Sequence, residues 1–217
     1  MKIAVIGTGM VGEAIGSRLI DKGYQVLMGS RTANNEKAVA WVNSKASNAG
    51  NGTFADAANF AEEIIFNCTN GQFTIDALKA AGLDNLKGKV IIDIANPLDF
   101  SEGMPPSLSI CNKDSLAEQV QKAFPEAHVV KSLNTMNCNI MLNPSLVSGD
   151  HNVFMSGNSA EAKKKVADLL HSCGWKRENI IDLGDITTAR GTEMLLPIWL
   201  RLYGAFGNPN FNFHIQR

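Results

Sequence analysis

The 217-residue chain is 45% hydrophobic and 19% charged, which excludes a disordered polypeptide and allows one packed core with an appendage. Lys and Arg number 20 against 21 acids, a formal net charge of -1. No global field therefore draws the protein to nucleic acid or to a membrane surface, and a small molecule is the expected partner.

The first apolar run, KIAVIG, leads directly into GTGMVGEAIGSRL. Gly7, Gly9 and Gly12 stand in G-x-G-x-x-G spacing between a strand and a helix expected over 10–22, with Val11, Ile15 and Leu19 along one face. In that setting Gly7 makes the tight turn, Gly9 lets backbone approach a pyrophosphate, and Gly12 lets the helix pack on the strand. The helix then aims its first amides and its positive dipole end at the phosphates. The second strand, QVLMG, ends in Gly29, Ser30, Arg31 and Thr32, where an NAD-binding fold would carry a carboxylate for the ribose hydroxyls. Arg31 instead offers planar donors that match phosphate oxygens, and Ser30 and Thr32 add hydroxyls. The site reads as built for NADP, with Lys37 as a candidate second cation.

Further along, EIIFNC, KVIIDIA, HVVKSL and NVFMSG are short uninterrupted apolar runs, the signature of strands covered on both faces. Helical composition is expected over 34–49, 75–81, 115–124 and 160–173. This alternation predicts an α/β fold, a Rossmann-like, doubly wound, mostly parallel sheet. The segment 96–113, with Pro97, Pro105 and Pro106, is the longest irregular stretch and is expected to be a functional loop. After NIIDLGD a C-terminal helical extension follows over 187–204, and Pro197 predicts a break between 193 and 197. Met194, Leu195, Leu196, Ile198, Trp199, Leu200 and Leu202 surround it. A helix apolar all round is expected to be buried all round, in its own subunit or against a second copy in a homodimer. The expected organisation is a dinucleotide-binding unit over 1–183, with a helix and tail over 184–217 that do not fold alone.

Cys68, Cys111, Cys138 and Cys173 lie far apart with no C-x-x-C pair, so reduced thiols in a cytoplasmic protein and no metal site are expected. The N-terminus lacks a leader's apolar stretch, and MLLPIWLRLYGAF is too short for a membrane span and carries Arg201.

In an open α/β sheet the ligand lies beyond the carboxyl ends of the strands, where Thr69, Asn70, Asn96, Asn134 and Thr135 would gather. These neutral groups can orient a carboxamide or a ring carbonyl, but none readily gives up a proton. Ketone or imine reduction calls for an acid, and the closing helix offers Arg190, Glu193 and Arg201 rather than a lysine. Lys131 sits within a strand, directed toward a helix, and His128, His151, His171 and His214 read as structural. No general acid is identified. Hydride transfer to a flavin-like ring needs none, because the heterocycle delocalises the arriving charge and the protein supplies alignment. Asn96 with Pro97, and Asn134 with Thr135, are the expected positioning residues.

IGTGMVGEAIGSRL followed by GSRT resembles the deazaflavin (coenzyme F-420)-dependent NADP oxidoreductase family and the related cytosolic domain of six-transmembrane metalloreductases. VVKSLNTMN is similar to that family's sixth strand and substrate loop, and DLGDITTARGTEMLLPIWLRL to its closing helix. The resemblance implies that Thr8, Gly9, Met10, Val11, Ser30 and Arg31 hold NADP(H). It also implies that 69–71, 96–98 and 134–135 surround the nicotinamide. The loops CTNGQ and ANPLDF differ from the expected deazaflavin form, so the resemblance carries further for the donor than for the acceptor, a flavin or deazaflavin. Two other readings stand beside it: an imine or ketone reductase of the pyrroline-carboxylate or hydroxy-acid dehydrogenase type, and a non-catalytic NADPH sensor.

Overall fold

A computed structural model describes residues 1–45 and 47–216. Along the first half run β1 (Lys2–Ile6), α1 (Met10–Asp21), β2 (Gln25–Ser30), α2 (Glu36–Asn43), β3 (Ala49–Thr53), α3 (Phe54–Phe60) and β4 (Ile64–Asn67). They are followed by α4 (Thr74–Ala81), α5 (Leu83–Leu86), β5 (Val90–Asp93), β6 (Leu98–Asp99), β7 (Ser107–Leu108) and α6 (Leu116–Ala123). The second half continues with β8 (His128–Ser132), α7 (Cys138–Met141), β9 (Val153–Gly157), α8 (Ala160–Ser172), β10 (Ile180–Asp182), α9 (Ala189–Glu193) and α10 (Leu196–Phe206).

The main sheet has the order β10-β9-β8-β5-β4-β1-β2-β3. Only β8 and β9 pair antiparallel within it. The run β3-β2-β1-β4-β5-β8 is the doubly wound dinucleotide-binding order, with its switch point between β1 and β4. Residues alternate across the strands as the pleat demands. Ile3, Val5, Ile64 and Phe66 face the layer of α1, α2 and α8, where Ile15, Leu19, Trp41 and Val166 pack. Ala4, Ile6, Ile65 and Ile91 face the layer of α3, α4 and α6, where Ala57, Leu78 and Val120 pack. Each large aliphatic side chain so buried contributes roughly 1.5–3 kcal/mol.

Three expectations need correction. The helix expected over 34–49 ends at Asn43, and AGNGT forms the edge strand β3; position 46 of that expected helix lies outside the described residues. Edge strands face solvent and need few apolar residues, so AGNGT carries no apolar run to announce it. A capping box then starts α3, with Thr53 Oγ1 accepting from Asp56 N at 3.1 Å and Asp56 Oδ2 accepting from Thr53 N at 2.8 Å. Within 96–113 lies a small antiparallel hairpin, β6 with β7. The third correction concerns the C-terminal helix. The break falls where Pro197 requires it, Leu195 capping α10 after α9 has ended at Glu193. Within this chain, however, α10 is not buried all round: Ile198, Tyr203 and Phe206 are 51%, 43% and 56% exposed.

Candidate dinucleotide site

The loop after β1 is shaped by two close approaches. Gly7 adopts φ +119°, and a Cβ there would lie 2.7 Å from the Cys68 carbonyl oxygen. At Gly12 a Cβ would lie 2.0 Å from the Gly7 carbonyl oxygen, so only glycine lets α1 sit this close to β1. Gly9 differs: a Cβ there would meet nothing within 4 Å. The space beside Gly9 is open, and no side chain caps the start of α1. The first amides of a twelve-residue helix therefore face an open cradle.

That cradle is one end of a cleft of about 820 Å3 at the switch point, within the size range of small-molecule sites. Gly7, Thr8 and Gly9 line it from β1, Ser30 and Arg31 from β2, and Thr69 and Asn70 from β4. Seven residues named from sequence thus converge. Ser30 is buried, and its hydroxyl donates to the Thr32 carbonyl at 2.5 Å, tightening the turn that presents Arg31. The Arg31 guanidinium lies 5.7 Å from the centre of the Phe73 ring, across the cleft. Lys37, on the first turn of α2, also lines the cleft. Neither cation has a carboxylate partner among the described residues.

Other named residues lie off the cleft wall. Met10 is exposed, Val11 is packed against the core, Gly12 is buried, and Thr32 contributes its carbonyl rather than its hydroxyl. Asn96 and Asn134 are paired with each other: Asn96 Nδ2 donates to the Asn134 carbonyl at 3.0 Å, and Asn134 Nδ2 donates to Asn96 Oδ1 at 2.9 Å. Thr135 is buried beside them. The Pro97 carbonyl accepts from Ser109 N at 2.8 Å and so holds the hairpin. A Cβ at Gly71 would sit 2.1 Å from the Asn96 carbonyl oxygen. The loop after β4 is thereby pressed against the loop after β5.

Sequence reasoning missed the opposite wall. Asn35, whose Oδ1 caps α2 by accepting from Ala38 N at 3.1 Å, lines the cleft, as do Thr53 and Phe54. The S/T-x-x-D/E signature of TFAD was the available signal for the last two. Phe73 and Asp76, at the start of α4, complete it.

Lys131 is fully buried and does not reach the cleft. Its ammonium meets Asp93 Oδ2 at 2.9 Å and Glu193 Oε1 at 2.8 Å, and it also donates to the Ala95 carbonyl. Burial alone would push this lysine down, but Asp93 and Glu193 together hold it above the usual lysine value. Glu193 in turn accepts from the Leu116 and Ala117 amides at 2.8 and 3.1 Å, seating a carboxylate on the start of α6. His151 hydrogen-bonds Asn212 and the Pro144 carbonyl, His171 the Trp175 carbonyl, and none of the four histidines lines the cleft. Cys68 does line it, but burial pushes its thiol far above the usual cysteine range.

Fold order, glycine turn and cleft together define a Rossmann-like dinucleotide-dependent oxidoreductase. Residues 2–97 match the family described as NADP oxidoreductase, coenzyme F420-dependent. A crystal structure from Arthrobacter sp. FB24, described as a candidate F420-dependent NADP-reductase, is 52% identical over 100% of both chains with a TM-score of 0.94. The chain belongs to this family of NADP-dependent oxidoreductases. It is also 27% identical over 202 residues to metalloreductase STEAP3 of Rattus norvegicus, matching 91% of this chain and 38% of that one. The chain thus spans well under half the length of that relative. A reductive aminase from Aspergillus terreus in complex with NADPH shares the fold alone, at 21% identity and a TM-score of 0.65, over 95% of this chain and 62% of that one. Among the described residues no helix is long and apolar enough to cross a membrane.

Proposed function

We propose that the protein binds NADP(H) in the switch-point cleft and passes hydride between it and a flavin-like or deazaflavin acceptor. The observation that carries the donor side is Arg31, a cation without a carboxylate partner, presented at the end of β2 where no acid stands. Ser30 holds that turn, and Lys37 adds a second positive charge along the same wall. Thr8, Gly9 and the following amides of Met10 and Val11 supply the phosphate cradle, with Gly7 and Gly12 shaping it. When bound, the reduced nicotinamide supplies the hydride.

On the acceptor side, Thr69 and Asn70 face the cleft, while Asn96, Pro97, Asn134 and Thr135 stiffen the wall behind them and hold it in register. Alignment of this kind is worth roughly 7–11 kcal/mol of barrier, so a site without an acid is sufficient for ring-to-ring transfer. An imine or ketone reductase would need a proton donor, and the buried Lys131, held between two carboxylates, gives that reading no support. A cytoplasmic homodimer, closed over α10, completes the proposal.

The test is nucleotide choice. Arg31→Ala should weaken NADPH binding by about 10- to 150-fold, the 1.5–3 kcal/mol of a hydrogen bond to a charged group, and leave NADH unchanged. Equal loss for both nucleotides in a titration would refute the assignment. Loss of NADPH absorbance on adding a flavin or a deazaflavin, each in turn, then identifies the acceptor and separates an enzyme from a sensor.

A further inference from the structure

Beneath the cleft runs a chain of hydrogen bonds whose polarity is set at its buried end. Asp93 is 0% exposed, and as the partner of the Lys131 ammonium it is a carboxylate that can only accept. Its Oδ1 lies 2.6 Å from Asn67 Nδ2, and Asn67 is also 0% exposed. An acceptor on that side leaves the Asn67 amide one orientation: NH2 toward Asp93, carbonyl toward the cleft. Asn67 Oδ1 then lies 2.7 Å from Thr69 Oγ1, and it can only accept, so the single hydroxyl proton of Thr69 is committed to it. Thr74, fully buried, stands 2.8 Å away on the other side; with the Thr69 proton committed to Asn67, only Thr74 can donate across that contact, its other acceptor being the Asn70 carbonyl at 3.3 Å. Thr69 reaches the cleft with no proton left to offer.

We propose that Asn67 is a positioning residue which makes Thr69 Oγ1 an obligate hydrogen-bond acceptor, and that its ligand partner is the carboxamide N–H of the nicotinamide. A ribose hydroxyl can turn to donate or accept, so it would bond a group of either polarity and does not require the fixed one. An amide nitrogen can only donate, and the fixed acceptor matches it. The position also agrees, since Thr69 lines the cleft from the loop after β4, whose Gly71 is pressed against Asn96 at the carboxyl end of β5. The inference rests on the NADP(H) reading above. It adds a way for the site to sense the orientation of the carboxamide, and so which face of the ring is presented.

The experiment is calorimetric titration of the intact chain with NADP+, with its 3-acetylpyridine analogue, in which a methyl replaces the carboxamide NH2, and with 2',5'-ADP, which lacks the nicotinamide half. The parent should prefer NADP+ over the analogue by about tenfold, the upper end for one neutral hydrogen bond. Thr69→Val and Asn67→Leu should bring that ratio close to one. Asn67→Asp should keep it, because an oxygen faces Thr69 whichever carboxyl carries the proton shared with Asp93. All variants should bind 2',5'-ADP like the parent. A merely structural role for Asn67 would weaken both dinucleotides together and leave the ratio intact, overturning the proposal. So would a Thr69→Val protein that retains the tenfold preference, which stands even if Asn67→Leu fails to fold. Failure of the parent to bind 2',5'-ADP is a separate result that would overturn the NADP reading itself and this proposal with it.

Discussion

Gly9 and Gly12 belong to one motif, yet the structure assigns them opposite kinds of work. A methyl at Gly12 collides with backbone, whereas a methyl at Gly9 projects into open space. Gly9 also holds φ -82°, ψ -178°, extended backbone that alanine adopts without strain. Gly9→Ala should therefore melt within about 0.5 kcal/mol of the parent, as harmless surface changes do. It should bind NADPH at least tenfold more weakly, because the methyl fills the cradle that the phosphates require. Gly12→Ala should lose on the order of 1–3 kcal/mol or more from overpacking before binding is considered. Thermal melts paired with NADPH titrations check both, and a Gly9→Ala protein that binds normally would remove the pyrophosphate from this loop.

Among the elements, α10 is the one whose surroundings are unfinished. Trp199 stacks against Tyr203 and Phe211 at 5.6 and 5.3 Å, so one side of the helix has aromatic cover from its own tail. The tail is held in turn by the residue leading into β9, with Asn152 N donating to the Phe213 carbonyl at 2.8 Å and Asn152 Oδ1 accepting from Ile215 N at 2.6 Å. That cover is partial: Phe206 also meets Phe211 edge-on at 5.3 Å, yet Ile198, Tyr203 and Phe206 all stay exposed. Covering each such side chain is worth roughly 1.5–3 kcal/mol, which supports a shared interface. The homodimer proposal then predicts that Ile198→Glu converts a dimer into a monomer without lowering the melting temperature of the monomer. Light scattering at micromolar concentration decides it, and a parent that is already monomeric there speaks against the interface.

Across the whole molecule, the Asp93–Lys131–Glu193 cluster joins three segments: β5, β8 and the C-terminal extension. We propose on this basis that 184–217 is an integral arm of the 1–183 unit rather than a separate domain. Removing Lys131 leaves two buried carboxylates without a cation, which costs about 3–5 kcal/mol. Lys131→Met should lose that amount in urea denaturation at pH 7, so this variant reports on stability rather than on proton transfer. The sign with pH follows from the raised lysine value. Its contribution is fully present below the unfolded value of about 10.4 and is lost as pH rises through the higher folded value. Parent stability should fall in that alkaline window, while the Lys131→Met protein, already without the ammonium, should show no such component. Matching alkaline profiles for the two proteins would show that the cluster does not anchor the arm.

What the chain order alone determined was local. KIAVIG, GTGMVG and GSRT announce strand, phosphate turn and cation because each signal is complete within a few residues, where period, glycine spacing and charge act on their neighbours. Pro197 announces its helix break for the same reason. TFAD marked a helix start, but that Thr53 and Phe54 join Asn35 in lining the cleft was decided by the fold, through an edge strand, AGNGT, that has no apolar run to read. Asn96 and Asn134, expected to position the ligand, also hydrogen-bond each other from the loops that follow β5 and β8, strands adjacent in the sheet. Lys131 reads as a cation on a strand until Asp93 and Glu193 arrive from elements distant in sequence, and Thr69 reads as an ordinary hydroxyl until Asn67 and Asp93 fix its proton. Buried charge and hydrogen-bond direction depend on every group within about 3 Å. Only the closed tertiary structure brings those groups together.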